Sequence, residues 1–158
     1  MIKISFEVTD APARLIVTEL MPYPLPRVWL AETEGLYVKQ WWAPTDYEND
    51  EVDITTVEGG SWRILQRDPE GNQFSFYGKV ESVEHEQRLA LSLVSELWPD
   101  STVRIGQDFI AREGGTIVVT TYEFESDADL TTYLGVGGQD RLREASTRLD
   151  ALLAQISA

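Results

Sequence analysis

The sequence of 158 residues contains no cysteine and a single histidine. Without cysteine, the chain forms no disulfide, performs no thiol catalysis and builds no thiolate metal site. Basic residues are also scarce, since 13 lysines and arginines stand against 27 acidic residues and the formal net charge is -14. Such a charge repels a phosphate backbone and an anionic membrane surface. We therefore expect no nucleic-acid partner.

Long apolar runs are absent as well. No run approaches the roughly 18 residues that a membrane-spanning helix needs, and residues 1–10 lack a basic start followed by an apolar stretch. The sequence therefore predicts a soluble, cytoplasmic protein without membrane insertion. A chain of this length is typical of a single domain, which buries roughly 68 to 70% of its unfolded surface. We assign residues 1–158 to one domain.

The stretch from Gly138 to Ala158 has the clearest pattern in the sequence. Its apolar and small side chains recur at steps of three and four residues, which places them on one face of a helix. They are Leu142, Ala145, Ser146, Leu149, Leu152, Leu153 and Ile156. Asp140 is the expected N-cap. Arg148 and other charged residues fall on the opposite face, which we assign to solvent.

Upstream of this helix, apolar and polar residues alternate with period two, which predicts strands. The predicted strands cover 2–8, 15–21, 52–57, 61–67, 73–83, 89–97, 102–111 and 116–125. Short turns, such as Asp68-Pro69-Glu70-Gly71-Asn72, join the later strands into an antiparallel meander. Two short helices, 25–31 and 34–40, are expected after the second strand, with Thr33 as the cap of the second helix.

The phase of each strand predicts which side chains face the interior. The inward sets are Trp62, Ile64 and Gln66; Phe74, Phe76, Gly78 and Val80; Leu89, Leu91 and Leu93; and Val103, Ile105, Gln107 and Phe109. In the last strand both phases are apolar, so periodicity leaves its inward face undecided. The inward amides of Gln66 and Gln107 need a partner, which a ligand or a buried water would supply.

Several motifs resemble those of a known family. They are Pro24, Val28-Trp29, Thr33, Trp41-Trp42-Ala43-Pro44, Gly59-Gly60-Ser61-Trp62-Arg63 and Asp68-Pro69-Glu70-Gly71. The resemblance is to bacterial single-domain relatives of the activator of the heat-shock-protein ATPase, in the SRPBCC or START-like superfamily. It covers about residues 14 to 156 and implies an α+β helix-grip fold, the fold of the birch-pollen allergen. In that fold a curved antiparallel sheet wraps around a long C-terminal helix.

The sequence departs from the family pattern at two places. Glu34-Gly35 stands where the family usually has Asp-Pro, and Gly138-Gln139 stands where a tryptophan often precedes the last helix. Glycine in place of that tryptophan either widens the cavity or leaves a space that Tyr133 and Leu134 fill. The N-terminal strand lies in residues 1–13, outside the resemblance. It either extends the sheet or makes a partner contact.

The resemblance implies a cavity between the last helix and the sheet, suited to a small hydrophobic or aromatic molecule held by a few polar groups. The residues expected to bind such a ligand are Trp42, Trp62, Gln66, Phe74, Phe76, Leu91, Leu93, Ile105, Gln107, Phe109, Tyr122, Tyr133, Leu134, Leu142 and Ser146. For each of them, ordinary core packing is the competing interpretation.

No catalytic residue, metal site or cofactor is predicted. The one histidine, His85, lies between two glutamates in a turn, where nothing pairs it with a nucleophile. The phase of its strand directs Asp108 outward, whereas the orientations of Asp53 and Glu123 are undecided.

Three functions are compatible with this sequence. We favour a non-enzymatic binding protein for a small hydrophobic ligand. The alternative is an enzyme of the cyclase or aromatase type, in which Tyr122, Gln107 or a strand carboxylate moves a proton. Co-chaperone work ranks third, because the family name comes from a eukaryotic protein with an additional N-terminal domain for which this length leaves no room. Edge strands leave a homodimer open.

Overall fold

The computed structural model describes residues 1–156, which form eight strands and four helices. The strands are β1 (Lys3–Thr9), β2 (Arg14–Met21), β3 (Glu48–Ile54), β4 (Ser61–Arg67), β5 (Gln73–Glu84), β6 (Arg88–Ser95), β7 (Trp98–Arg112) and β8 (Gly115–Glu123). The helices are α1 (Leu25–Thr33), α2 (Gly35–Trp41), α3 (Asp127–Gly135) and α4 (Gly138–Leu153). The predicted α+β architecture is confirmed. Across the described range, the longest helix falls short of what a membrane crossing requires.

The strands form one antiparallel sheet in the order β1-β2-β8-β7-β6-β5-β4-β3. Strands β3 to β8 follow one another as a meander, and α1 and α2 carry the chain from β2 to the opposite edge, where β3 begins. Strand β1 extends the sheet beyond β2, with Lys3 opposite Leu20 and Thr9 opposite Arg14. The N-terminal segment therefore adds an edge strand.

Helix α3 was not predicted, and its presence changes how α4 begins. Ser126 caps α3, its hydroxyl accepting a hydrogen bond from the backbone N–H of Asp129 at 3.1 Å. Gly137 then takes the left-handed conformation, with φ 83°, and caps α4. Asp140 lies in the first turn instead of at the cap. The short link between two helices requires a residue with positive φ, which glycine adopts without strain.

The junction of α1 and α2 also differs from the prediction. Thr33 is buried as the last residue of α1, and its hydroxyl donates to the carbonyl of Trp29 at 2.7 Å. Glu34, with an extended backbone, occupies the cap position of α2. Since the Thr33 hydroxyl is engaged within α1, it makes no cap for the next helix.

The apolar face of α4 is divided between a core and a cavity. Leu149, Leu152 and Leu153 are buried in a cluster with Val28 and Trp29 of α1. The residues of the same face closer to the start of α4 border a cavity, and they are Leu142, Ala145 and Ser146. The helix ends at Leu153, and the predicted extension to 157 and 158 lies outside the described residues.

Arg148 does not project freely into solvent from α4, as its position on the polar face predicted. Its guanidinium donates to backbone carbonyls of the α2–β3 connection, Nη1 to Tyr47 at 2.7 Å and to Pro44 at 3.0 Å, and to one at the end of α2, Nη2 to Gln40 at 3.1 Å. Arg148 thereby fixes α4 to the segment that carries Trp42.

We expect Arg148→Met to lower the free energy of unfolding by about 2 kcal/mol, because the carbonyls of the α2–β3 connection lose a charged donor. Arg112→Met, at an exposed position near the end of β7, serves as the control and should change stability little. Urea denaturation of the two variants measures the difference. Equal stability of both variants would contradict the role given to Arg148.

Candidate functional site

A cavity of about 650 Å³ lies between α4 and the inner face of the sheet. Its wall is largely apolar, with Trp42 from the α2–β3 connection, Trp62 from β4, Phe76 from β5 and leucines from β6. Cavities of roughly this size enclose drug-sized molecules in other proteins. The space expected between the helix and the sheet is therefore present.

All but two of the residues expected to bind a ligand lie on this wall. Those on the wall are Trp42, Trp62, Gln66, Phe74, Phe76, Leu91, Leu93, Ile105, Gln107, Tyr122, Tyr133, Leu142 and Ser146. Phe109 instead packs edge-on against Trp29 of α1, with 4.9 Å between ring centroids. Leu134 belongs to a separate cluster with Leu15 and Leu130. That the wall residues bind a ligand stays a prediction.

Strand β8 turns one of its two apolar faces inward, which periodicity alone could not determine. Thr116, Val118 and Thr120 are buried, and Thr120 and Tyr122 reach the cavity. Ile117, in the other phase, is only half-buried. The inward phase of β8 therefore supplies one hydroxyl from threonine and one from tyrosine.

Four aromatic side chains form a continuous part of the wall. Trp42 meets Trp62 at 6.0 Å and Phe76 at 5.2 Å between centroids, and Phe76 meets Phe74 at 5.6 Å, all edge to face. The indole N–H of Trp62 donates to the carbonyl of Ser92 at 2.9 Å. These contacts fix the orientation of the rings before any ligand arrives.

Gln66 has a protein partner and therefore needs none from a ligand. Its amide nitrogen donates to the carbonyl of Trp42 at 3.1 Å and to Oδ1 of Asn49 at 3.0 Å. Asn49 in turn donates to the carbonyls of Lys39 and Trp42 at 3.1 and 3.2 Å. The two buried amides hold the backbone beneath Trp42, so Gln66 shapes the wall.

Gln107 leads to a pair of glutamates that the sequence analysis did not single out. Its amide nitrogen donates to Oε1 of Glu32 at 3.2 Å and to the hydroxyl of Thr120 at 3.3 Å. Glu19 accepts a hydrogen bond from the hydroxyl of Ser146 at 2.7 Å. Both glutamates line the cavity, and both are half-buried.

Both glutamates are held in a setting that disfavours charge. Burial and the nearby charge of Glu19 raise the pKa of Glu32 from 4.5 to about 8, against a smaller opposing effect of the hydrogen bond from Gln107. Burial also raises the pKa of Glu19. Tyr122 has its pKa raised well above the usual value by burial, with contributions from Tyr133 and the two glutamates. At neutral pH, Glu32 therefore retains a proton.

Comparison with known proteins now identifies the family. A family model described as Activator of Hsp90 ATPase homolog 1-like protein matches residues 22–154. The chain belongs to this family, within the SRPBCC superfamily. The predicted family is therefore confirmed over most of the chain. No curated protein matches the sequence.

Solved structures of bacterial proteins share the fold. A protein from Rhodobacter sphaeroides matches with a TM-score of 0.90 and 20% identity, over 98% of this chain and 100% of that chain. A protein from Nitrosomonas europaea matches with a TM-score of 0.82 and 24% identity, over 93% of this chain and 97% of that chain. CalU16 from Micromonospora echinospora matches with a TM-score of 0.65 and 20% identity, over 98% of this chain and 86% of that chain. At these identities the likeness shows the helix-grip fold alone.

Tyr133 fills the space beside Gly138, at the start of the last helix. Its ring lies so close to Gly138 that any side chain at 138 would collide with it. The Tyr133 hydroxyl donates to the Gly138 carbonyl at 3.3 Å. The sequence left open whether the cavity widens beside Gly138 or the space there is filled, and Tyr133 fills it. Leu134 does not reach the cavity wall.

The other titratable candidates lie outside the cavity. Asp108 pairs with Arg88 at 2.6 Å, as its outward phase predicted, and Glu123 pairs with Arg14 at 2.9 Å. Asp53 is exposed. His85 is also exposed in its turn, with Nε2 3.1 Å from Glu86 and its ring 5.6 Å from that of Trp29. Nowhere in residues 1–156 do three metal-ligating side chains converge.

The sequence pattern places Glu19 and Glu32 at positions that are otherwise apolar. Glu19 follows Leu15 and Val17 in the inward phase of β2. Glu32 follows Val28 and Trp29 at helical steps of four and three residues, on the buried face of α1. A charged residue within an apolar phase is the cue for a functional carboxylate, because burying it without a partner costs free energy.

We expect the free energy of unfolding to fall as pH rises from about 4.5 to about 8, because folded Glu32 holds its proton in this window and the unfolded chain releases it. The slope contributed by one such group is at most about 1.4 kcal/mol per pH unit. Glu32→Gln should reduce the slope, leaving the part due to Glu19. Urea denaturation at pH 5, 6, 7 and 8 measures it.

Glu34→Gln is the matched control for this pH series, since Glu34 lies two residues away and is exposed. It should preserve the pH dependence of the wild-type protein. If Glu32→Gln retained the full slope, the proton on Glu32 would not be the cause.

Proposed function

We propose that the protein binds a small, largely apolar or aromatic molecule in the cavity between α4 and the sheet, without transforming it. The observation that carries this proposal is the cavity of about 650 Å³, whose apolar wall ends in a small group of polar side chains. A ligand there exchanges water contact for apolar contact, at roughly 25 cal/mol per Å² buried. The polar group sets the orientation of the ligand.

The register of the strands gives the cavity a mouth and a deep end. Leu97 and Trp98, in the β6–β7 hairpin, line the cavity and are also 58% and 49% exposed, so they form part of the rim. Gln107 lies opposite Leu89, close to the β5–β6 turn at the other end of these strands. A molecule that enters past the β6–β7 hairpin therefore reaches the carboxyl groups of Glu19 and Glu32 last.

We expect Leu91→Trp to abolish ligand binding by filling the middle of the cavity, since Leu91 lies on its wall opposite Ile105. The probe is N-phenyl-1-naphthylamine, a neutral aromatic dye whose fluorescence rises in apolar surroundings. Its affinity should fall at least about tenfold in the variant, because an indole occupies the volume that the dye needs.

Ile110→Trp is the control for added indole, since Ile110 is 47% exposed on the outer face of β7. This variant should bind the dye as the wild-type protein does. The proposal fails if the wild-type protein neither binds the dye nor retains any small molecule in native mass spectrometry after purification.

The carboxyl pair favours a second candidate, an enzyme of the cyclase or aromatase type. Glu32, which holds a proton at neutral pH, is suited to act as a general acid, and Glu19 as a base. Both face the same cavity. Two carboxyl groups in one apolar site are a common arrangement for proton transfer.

Deuterium exchange at the α-carbon of 2-tetralone in D₂O tests this candidate by NMR. An enzyme should accelerate the exchange roughly 100-fold over buffer, and Glu32→Gln should remove most of that acceleration. Glu34→Gln should leave the rate unchanged. Exchange at the buffer rate with the wild-type protein would count against an enzyme.

A further inference from the structure

We propose that the ligand carries a basic nitrogen and that this cation lies against Glu19 and Glu32 at the deep end of the cavity. The inference rests on the proposed binding function and specifies the chemical class of its ligand: an aromatic or aliphatic body with one protonated amine. Its basis is the arrangement of charged and polar groups around the cavity.

The two carboxyl groups have no cationic partner within residues 1–156. Ser146 donates to Glu19, and Gln107 donates to Oε1 of Glu32, but both donors are neutral. Oε2 of Glu32 is buried and has no hydrogen-bond partner among the described residues. The hydrogen bonding of the Glu32 carboxyl group is therefore incomplete, and a cationic donor from outside the chain that takes the place of its proton would complete it.

The basic side chain on the described wall lies elsewhere. Arg141 borders the cavity at the start of α4, where its charge lowers the pKa of Tyr133 and so opposes the effect of burial. Neither glutamate has its pKa lowered by a basic group. An anionic ligand would therefore meet repulsion at the deep end, whereas a cation would supply the missing counter-ion.

The rest of the wall suits the remainder of such a molecule. Trp42, Trp62, Phe74 and Phe76 lie between the rim and the carboxyl groups, and they offer apolar contact to its hydrocarbon part. The formal net charge of -14 attracts a cation from solution and raises its concentration near the mouth.

The charge of the pair matches one amine. The groups that face the glutamates are neutral: Ser146 from α4, Gln107 from β7, and Thr120 and Tyr122 from β8. While Glu32 keeps its proton, the pair carries at most one negative charge, and the loss of that proton adds one more, so the attraction for a monocation increases with pH. A bound cation also favours the loss of that proton.

Isothermal titration calorimetry with 2-(1-naphthyl)ethylamine and 2-(1-naphthyl)ethanol tests the inference, because the two compounds differ in charge and little in shape. At pH 7.5 the wild-type protein should bind the amine at least about tenfold more tightly than the alcohol, as expected for a desolvated charge pair. Glu19→Gln with Glu32→Gln should reduce this preference to about threefold or less. Glu34→Gln should keep it.

A measurement on the wild-type protein alone gives a second test, in case the double variant does not fold. Affinity for the amine should rise between pH 6 and 8 as the pair loses its proton, while affinity for the alcohol should not. A flat pH profile for the amine would overturn the inference.

The outcomes separate this inference from the proposed function. Binding of the alcohol as tight as that of the amine would overturn the inference and leave a cavity that binds neutral molecules. An amine preference that survives in the folded double variant would overturn it too, because the selectivity would then arise elsewhere. If the wild-type protein bound neither compound nor the neutral dye, both proposals would fall.

Discussion

The Arg148 guanidinium holds α4 to the backbone between Gln40 and Tyr47, and the cavity depends on this attachment. Glu144 reinforces it by accepting a hydrogen bond from the backbone N–H of Thr45 at 2.9 Å. Leu149 and Leu153 anchor the following turns of α4 in the core with α1. These polar contacts and the core with α1 together hold the helix in position. The space between the first turns of α4 and the sheet therefore need not be filled by side chains.

The unfilled space explains how the fold accommodates the two glutamates of the cavity wall. In a fully packed core, Glu19 and Glu32 would be a costly pair of like charges without compensation. Here a proton on Glu32 removes one charge at neutral pH, and the hydroxyl of Ser146 donates a hydrogen bond to Glu19.

Much of this structure could be predicted from local patterns. Period-two alternation predicted the meander and the inward orientation of Trp62, Leu91 and Ile105, because a strand with one buried face alternates apolar and polar residues. The partners of Arg148 could not be predicted, because its acceptors are backbone carbonyls about a hundred residues earlier in the chain. Glu19 is not predicted to line the cavity, although it shares the inward phase of Leu15 and Val17, because a charged residue in a strand is more often solvated.

The division of α4 into an anchored part and a part that borders the cavity separates the position of the helix from the shape of the cavity. Leu149 and Leu153 lie in the core with α1, whereas Leu142 borders the cavity and the separate cluster of Leu15 and Leu130. Substitutions at the wall would therefore change the shape of the cavity while the helix stays in place. One position of the helix is in this way compatible with cavities of different shapes.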